Sequence, residues 1–329
     1  MFSFNLMDIN KVLNNKRLIK AVLGVSNESF EKLLVIFAQV LKEEAELTKG
    51  RKRAYGGGSN GNIKDPRKKL FFILWYLKVY PTFDVAAYVF ASSKSRTQAW
   101  AHKILPILEK TLKRKLVLPK RRINSVEEFF QMFPQDKEVM LDGVERPTMR
   151  SQKSKTQHKH YSGKKKRHTR KNLVMVNSKK KILLITPTKH GKVHDKKLSD
   201  KNMLASHIPK EVSLLVDTGF QGLQKIHENT FIPKKKPRGG LLTDDEKAWN
   251  RLISSVRIVV EHAIGGMKRF GATSHVFRNK NGLDDLFMVV CAGLWNLELE
   301  RTYKKNSARL LNLCCFVNTG QVYCLICLI

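Results

Sequence analysis

The spacing of apolar positions changes near residue 138 and divides the chain in two. Before that point the spacing is helical, and residues 1–50 read as helical throughout. Ser26 stands ahead of Phe30, Leu33, Leu34 and Phe37, which predicts a capped amphipathic helix. Asp65-Pro66 offers a cap and a first-turn proline to a helix carrying Leu70, Ile73, Leu74 and Leu77 on one stripe, ending near Tyr80-Pro81. A short helix from Asp84 to Phe90, a polar break at Ser92-Ser93 and a third helix from about Ser95 follow. On that third helix Ala99, Trp100 and Ile104 are expected to face inward. Lys94, Arg96, Thr97, Gln98 and His102 are expected to face out, and Pro106 to end or kink the helix. Over about 65–110 this is the order of a helix-turn-helix, whose last helix enters a major groove; a plain three-helix bundle would show the same pattern.

Beyond residue 138 short strand-length runs take over. Glu138–Gly143 is an apolar run closed by Asp142 and a glycine, and Ser213–Gly219 repeats the design around Asp217. Both acids are expected at strand tips, where a buried element first meets solvent. Leu173–Val176 and Ile182–Ile185 suggest an antiparallel meander. A helix is expected from His194-Asp195 to about Ala205, and Phe231–Gly240 reads as a loop rich in Pro, Gly and Lys. Thr243-Asp244-Asp245-Glu246 is a capping box opening a long helix to about Phe270, with Leu252, Val256, Ala263 and Met267 on its apolar side. A last helix spans Leu283–Tyr303. The pattern therefore predicts an all-α region over 1–120, a linker over 121–137, an α/β domain over 138–303, and a tail over 304–329 with no assigned role.

Charge adds a partner. The 329 residues hold 62 Lys plus Arg against 28 Asp plus Glu, a formal charge of +34. Such an excess repels itself unless a polyanion offsets it, which points to nucleic acid. A membrane surface fits less well, because the cations do not share one amphipathic helix. From Arg146 to His194, both included, there are sixteen Lys or Arg and no acid, densest at Tyr161–His168. Such a run is often only a solvated loop; between strands and beside acids, Lys164, Lys165, Lys166 and Arg167 are expected to track phosphates. Lys234, Lys235, Lys236 and Arg238 are expected to do so on the later loop. His158, His160 and His168 read as DNA contacts or surface rather than metal ligands.

The Cys count is five, an odd number that points to reduced thiols. Cys324-x-x-Cys327 after Cys314-Cys315 fits zinc spacing poorly. The tail is too interrupted by polar residues to span a bilayer, and the first residues lack the order of a secretory signal. The expected location is the cytoplasm, with the nucleoid, for a bacterial protein and the nucleus for a eukaryotic one.

The third acid is Glu261. At about 100° per residue, Arg257, Glu261 and Lys268 project from one face of the long helix; an exposed ion-paired face would look alike. Three carboxylates suit hard divalent cations, Mg²⁺ or Mn²⁺, and a pair of such ions can activate a hydroxyl and stabilise a departing oxygen at a phosphodiester. Arg257 and Lys268 would offset phosphate charge. Glu145 is a rival ligand; Asp195 is expected to cap its helix, or to be a fourth acid.

These pieces occur in a fixed order: Leu141-Asp142-Gly143-Val144-Glu145, Tyr161–His168, Gly191-x-x-His194-Asp195, Asp217-Thr218-Gly219-Phe220-Gln221-Gly222, Pro233–Gly240, and Arg257-x-x-x-Glu261-His262-Ala263-Ile264-Gly265. Together they resemble the Asp-Asp-Glu transposases of insertion-sequence family five and their Harbinger-like relatives, over roughly residues 65–303. The resemblance implies a ribonuclease-H-like catalytic domain with Asp142, Asp217 and Glu261 as its triad. It also implies metal-dependent cleavage of double-stranded DNA at transposon ends and strand transfer into target DNA, with a dimer or higher oligomer bringing two ends together. A decayed or domesticated copy that only binds DNA, and an endonuclease without strand transfer, are the alternatives.

Overall fold

A computed structural model describes residues 7–47, 63–237, 239–279 and 283–315, with side chains described as far as Tyr303. A loop expected over Gly50–Asn62 lies outside these residues, as do Arg238, Cys324 and Cys327. The helices that open the chain are α1 (Ile9–Asn14), α2 (Lys16–Leu23), α3 (Asn27–Glu46), α4 (Pro66–Val79), α5 (Phe83–Val89), α6 (Lys94–Arg114) and α7 (Val126–Met132). Strand β1 (Glu138–Pro147) is followed by α8 (Ser154–His160), β2 (Tyr161–Ser162), β3 (Arg167–Asn177), β4 (Ile182–Ile185) and β5 (Lys189–His190). Then come α9 (Asp195–Lys201), β6 (Ser213–Val216), β7 (Thr230–Phe231), α10 (Asp244–Lys268), α11 (Gly271–Ser274) and α12 (Leu283–Cys315).

The caps form as their residue types require. Ser26 accepts from the Ser29 amide, Asp65 from Arg67, and Thr243 and Glu246 close a reciprocal capping box. Helix α4 is buried along Leu70–Leu77 on every side, which makes it the centre around which the other helices pack. Phe72 meets the Phe90 and Trp100 rings edge-on, with centroids 5.1 and 5.5 Å away, and so locks α5 and α6 onto it.

Helix α6 departs from expectation in phase. Thr97 is fully buried rather than outward, and its hydroxyl donates to Phe83 O at 3.1 Å. Ala99 is exposed, Trp100 half-buried, and the inner stripe is Thr97, Ala101, Ile104, Leu105 and Leu108. A threonine can line a core when its hydroxyl finds backbone oxygens. Pro106 does not end the helix, because Leu108, Thr111 and Leu112 beyond it are all buried and hold the next turns in place.

The sheet is mixed and flanked by helices, consistent with a ribonuclease-H-like fold. Its order is β2-β3-β1-β6-β7, with β4 and β5 also on β3. β1, β3 and β4 form the expected antiparallel meander, while β6 runs parallel to β1. One core lies under α10 and α12 on one sheet face and continues into α2–α6; a second, on the other face, gathers Phe129, Leu198, Phe220 and Leu223. Asn296 of α12 joins the elements through backbone. Its amide nitrogen donates to Val117 O and Ile182 O, and its oxygen accepts from the Ile182 amide, each at 2.9 Å. Glu298 accepts from the amide and hydroxyl of Ser26, at 2.9 and 3.0 Å.

Other boundaries shift. Helix α9 stops at Lys201 and a 3-10 turn covers Ala205–His207, with Met203 at φ 49° between them. Helix α12 continues past Tyr303 to Cys315. Leu252 is 59% exposed, because the first half of α10 lies off the core and buries only Ile253 before Val260. Among the described residues no helix is long and apolar enough to cross a membrane.

Candidate active site

Strand β1 does not end at Asp142. It runs on through Gly143, which pairs with Leu173 of β3. What ends is the partner on its other side: β6 pairs Val216 with Leu141 and then leaves the sheet. Parallel strands put like ends together, so the next position on each strand is an acid, Asp142 on β1 and Asp217 on β6. Each carboxylate is held by the next amide. Gly143 N–H donates to Asp142 Oδ1 and Thr218 N–H to Asp217 Oδ1, both at 2.7 Å.

Arg257 of α10 bridges the two acids. Its Nη2 lies 3.7 Å from Asp142 Oδ2 and its Nη1 3.5 Å from Asp217 Oδ1. The arginine side chain is 13% exposed, those of the aspartates 22% and 32%, so the trio sits in a shallow recess. Burial pushes the Asp142 carboxyl above its usual range. Arg257 and the Gly143 amide pull it back, while Asp217 and Asp195 push it further up. Lys268 also reaches this region: burial and the nearby Lys165 lower its pKa, and Asp142 and Glu145 raise it. The hairpin between β2 and β3 thus brings Lys165 close enough to Lys268 to act on its charge.

Glu261 is exposed, a little over one turn along α10 from Arg257, and its side chain makes no hydrogen bond or ion pair among the described residues. Among those residues no three His, Cys, Asp or Glu side chains stand close enough to hold a metal ion. Asp142 and Asp217 are brought together around Arg257, and among the described residues Glu261 forms no metal-holding group with them.

Beside the acids lies a buried charge network that the sequence did not disclose. Lys171 of β3, in register with Glu145, has its ammonium 3.3 Å from Glu145 Oε1 and 2.9 Å from Asp195 Oδ1. It also donates to Val193 O at 2.9 Å. Asp195 does not cap α9: His194 occupies the cap position without a side-chain bond, and the Asp195 carboxylate turns to Lys171. No local signal marked it, because Lys171 stands among Arg167, His168, Thr169, Arg170 and Asn172 in the polar half of β3. Thr169 donates to Glu145 Oε2 at 2.7 Å. Burial alone would raise the Glu145 pKa, but hydrogen bonds from Thr169 and Ser162 and the charge of Lys171 bring it below its ordinary value of 4.5.

That sign sets a pH dependence. A carboxyl with a depressed folded pKa contributes stability above its unfolded pKa, and loses it as pH falls through the folded value. Glu145→Gln is expected to lower the urea midpoint clearly at pH 7, with the gap to wild type closing as pH falls below about 4.5.

The other expected DNA contacts divide. Arg96, Gln98, Lys164, Lys165, Lys166, Arg167, Lys234, Lys235 and Lys236 are exposed. Lys94 is exposed but pairs with Asp84 at 3.0 Å. His102 is half-buried beside the Phe83 ring. The Lys234 backbone is stapled to the Asn250 side chain of α10 by bonds of 2.7 and 3.0 Å, which fixes where the later basic loop leaves the sheet.

Comparison with known proteins agrees with this geometry. Residues 141–296 match the DDE superfamily endonuclease family model. The matched span starts one residue before Asp142 and contains Asp217 and Glu261. The chain is also 29% identical, over 283 residues, to a probable transposase for insertion sequence element IS702 of Microchaete diplosiphon; the alignment covers 86% of this chain and 95% of that protein. No solved structure matches the chain. These similarities support a transposase or DDE-type endonuclease.

Proposed function

We propose that the chain is a DNA transposase of the Asp-Asp-Glu type, allied to insertion-sequence family five and the Harbinger-like enzymes, which binds element ends, cleaves them and transfers the strands. The observation that carries this reading is the pair Asp142 and Asp217, set abreast by β1 and β6, with the Arg257 cation between them. Hard anionic oxygens already gathered around a cation fit a divalent metal ion, and Arg257 touches neither carboxylate closely enough for a strong hydrogen bond. Asp142 and Asp217 would hold Mg²⁺ or Mn²⁺, with Glu261 as the third ligand from α10. Bound there, the ions would supply polarisation of the scissile phosphate and an activated hydroxyl. Arg257 and Lys268 offset phosphate charge in the recess. The hairpin lysines and Lys234, Lys235 and Lys236 follow the backbone of the duplex, with Arg238 assigned to the same loop. Over 65–110 the α4–α6 unit reads the end through Arg96 and Gln98, while Thr97, buried, has no part in contact. Bringing two ends together calls for a dimer or higher assembly.

The test uses a supercoiled plasmid carrying the DNA that flanks this reading frame. Nicked or linear product with Mg²⁺ or Mn²⁺, abolished by chelation, is expected. No cutting with either ion overturns the enzymatic reading. It leaves the second one, a DNA-binding protein only, which the exposed and unpartnered Glu261 favours.

The two basic surfaces separate in a gel-shift titration at two salt concentrations. Neutralising Lys164, Lys165 and Lys166 is expected to weaken binding alike on all sequences and to flatten the salt dependence, by about 0.9 in log–log slope per lysine that meets a phosphate. Changing Arg96 or Gln98 is expected to alter preference for the end sequence, with about 1–3 kcal/mol lost at the base contacted. End preference lost through the lysine changes alone would refute the division.

A further inference from the structure

Both site aspartates are followed within two residues by a glycine, and one side chain fills the space beside both. A Cβ on Gly143 would lie 2.7 Å from Asp195 Oδ1, and one on Gly219 3.4 Å from Asp195 Oδ2. Asp195 is thus wedged between the backbone just after Asp142 and the backbone just after Asp217. It is also anchored. Lys171 Nζ stands 2.9 Å from its Oδ1, and the same ammonium holds Val193 O at 2.9 Å and lies 3.3 Å from Glu145 Oε1. The Lys171 side chain is 8% exposed and that of Asp195 18%.

A buried ion pair is seldom the most stable filling for such a space; apolar residues of similar volume often do as well or better. An ion pair does fix direction. Lys171 is set by β3, and through it the loop before α9 and the Asp195 carboxylate are set against both turns. We propose that Lys171 and Asp195 are positioning residues. They hold the Gly143 and Thr218 amides where those amides orient the Asp142 and Asp217 carboxylates. Across the recess Lys171 at one end and Arg257 at the other flank three acids, Asp195 and the two site aspartates. The catalytic consequence rests on the transposase reading; the mechanical one does not.

The test compares full-length wild type, Asp195→Asn, Lys171→Met, the double variant and Gly143→Ala, with two readouts. The first is amide exchange without metal, followed on peptides containing Gly143 and Thr218. Asp195→Asn, which keeps the side-chain volume, is expected to speed exchange at both by about 10-fold, with β4 and α12 unchanged. Gly143→Ala, which forces Asp195 out, is expected to do the same. The second readout is metal-dependent nicking. Asp195→Asn is expected to lower kcat by about 10–100-fold, as loss of an orienting partner does, with KM for DNA within about 3-fold. The double variant is expected to be no worse than the poorer single variant, because the two residues act as one unit. Unchanged exchange at Gly143 and Thr218 in Asp195→Asn, or faster exchange across the whole chain, overturns the proposal. If wild type cuts nothing, the transposase reading fails, while the exchange data still decide the positioning role.

Discussion

Asp142→Asn and Asp217→Asn each reduce metal-dependent nicking by about 10³-fold or more, while the Kd for DNA stays within about 3-fold; this is the largest effect expected of any single change. Asparagine keeps the volume of aspartate and an oxygen that can accept from Gly143 or Thr218. What it loses is the anion facing Arg257. At Asp142 the loss falls on a carboxylate that burial already disfavours and that Arg257 and the Gly143 amide sustain. At Asp217 it falls on the more exposed of the two, still capped onto Thr218. Nicking assays and gel shifts on the same preparations separate chemistry from binding. Residual nicking within about 10-fold of wild type in both variants would place the chemistry elsewhere. Glu261→Gln, run alongside, decides the third acid: full activity would remove Glu261 from the site.

The largest stability effect is expected at Arg146. This side chain is 1% exposed, donates to Ala272 O at 2.9 Å, and lies with its guanidinium 4.3 Å from the Phe277 ring centroid. Burial draws its pKa down to about 10, against which the charge of Asp284 pulls upward. Asp284, 4% exposed, has Arg170 at 2.9 Å as its direct partner. Arg146→Met keeps most of the stem volume but removes the cation over Phe277, the bond to α11, and one of the positive charges acting on Asp284. Breaking a buried charge arrangement from one side costs about 3–5 kcal/mol, and a shift of the denaturant midpoint at constant m-value measures it. Arg146→Met with Asp284→Leu is expected to recover part of that loss, because no carboxylate is then left underpaired. A single variant as stable as wild type would show that the buried charge carries no structural weight.

The reach of the sequence was set by the range of the interactions. Ser26, Asp65 and Thr243 act within three residues of themselves, and each caps its helix as expected. Asp142 and Asp217 were visible because an apolar run followed by an acid and a nearby glycine is a local pattern. On α10, 100° per residue carries Arg257 and Lys268 to one side, near Asp142, as expected, whereas Glu261 stands exposed and Leu252 lies outside the core. Long-range pairing was not visible. Gly143 looked like the end of a strand, and only its pairing with Leu173 shows that the strand continues. Asp195 looked like a cap, and only the arrival of Lys171 from β3 turns it elsewhere. Thr97 and Ala99 were exchanged in α6 because polarity alone cannot register a hydroxyl that is satisfied by backbone oxygens inside a core.

The Asn296 staple has a bearing on how DNA would be measured. One amide side chain ties the segment after α6 to β4 and α12, and Glu298 two residues on ties the start of α3 to the same helix. On the transposase reading, a helix that reads the element end and is joined in this way is a ruler without slack. The interval from recognised bases to cut bond is then one fixed number of base pairs. Inserting half a helical turn of DNA there would abolish cutting outright instead of slowing it by degrees.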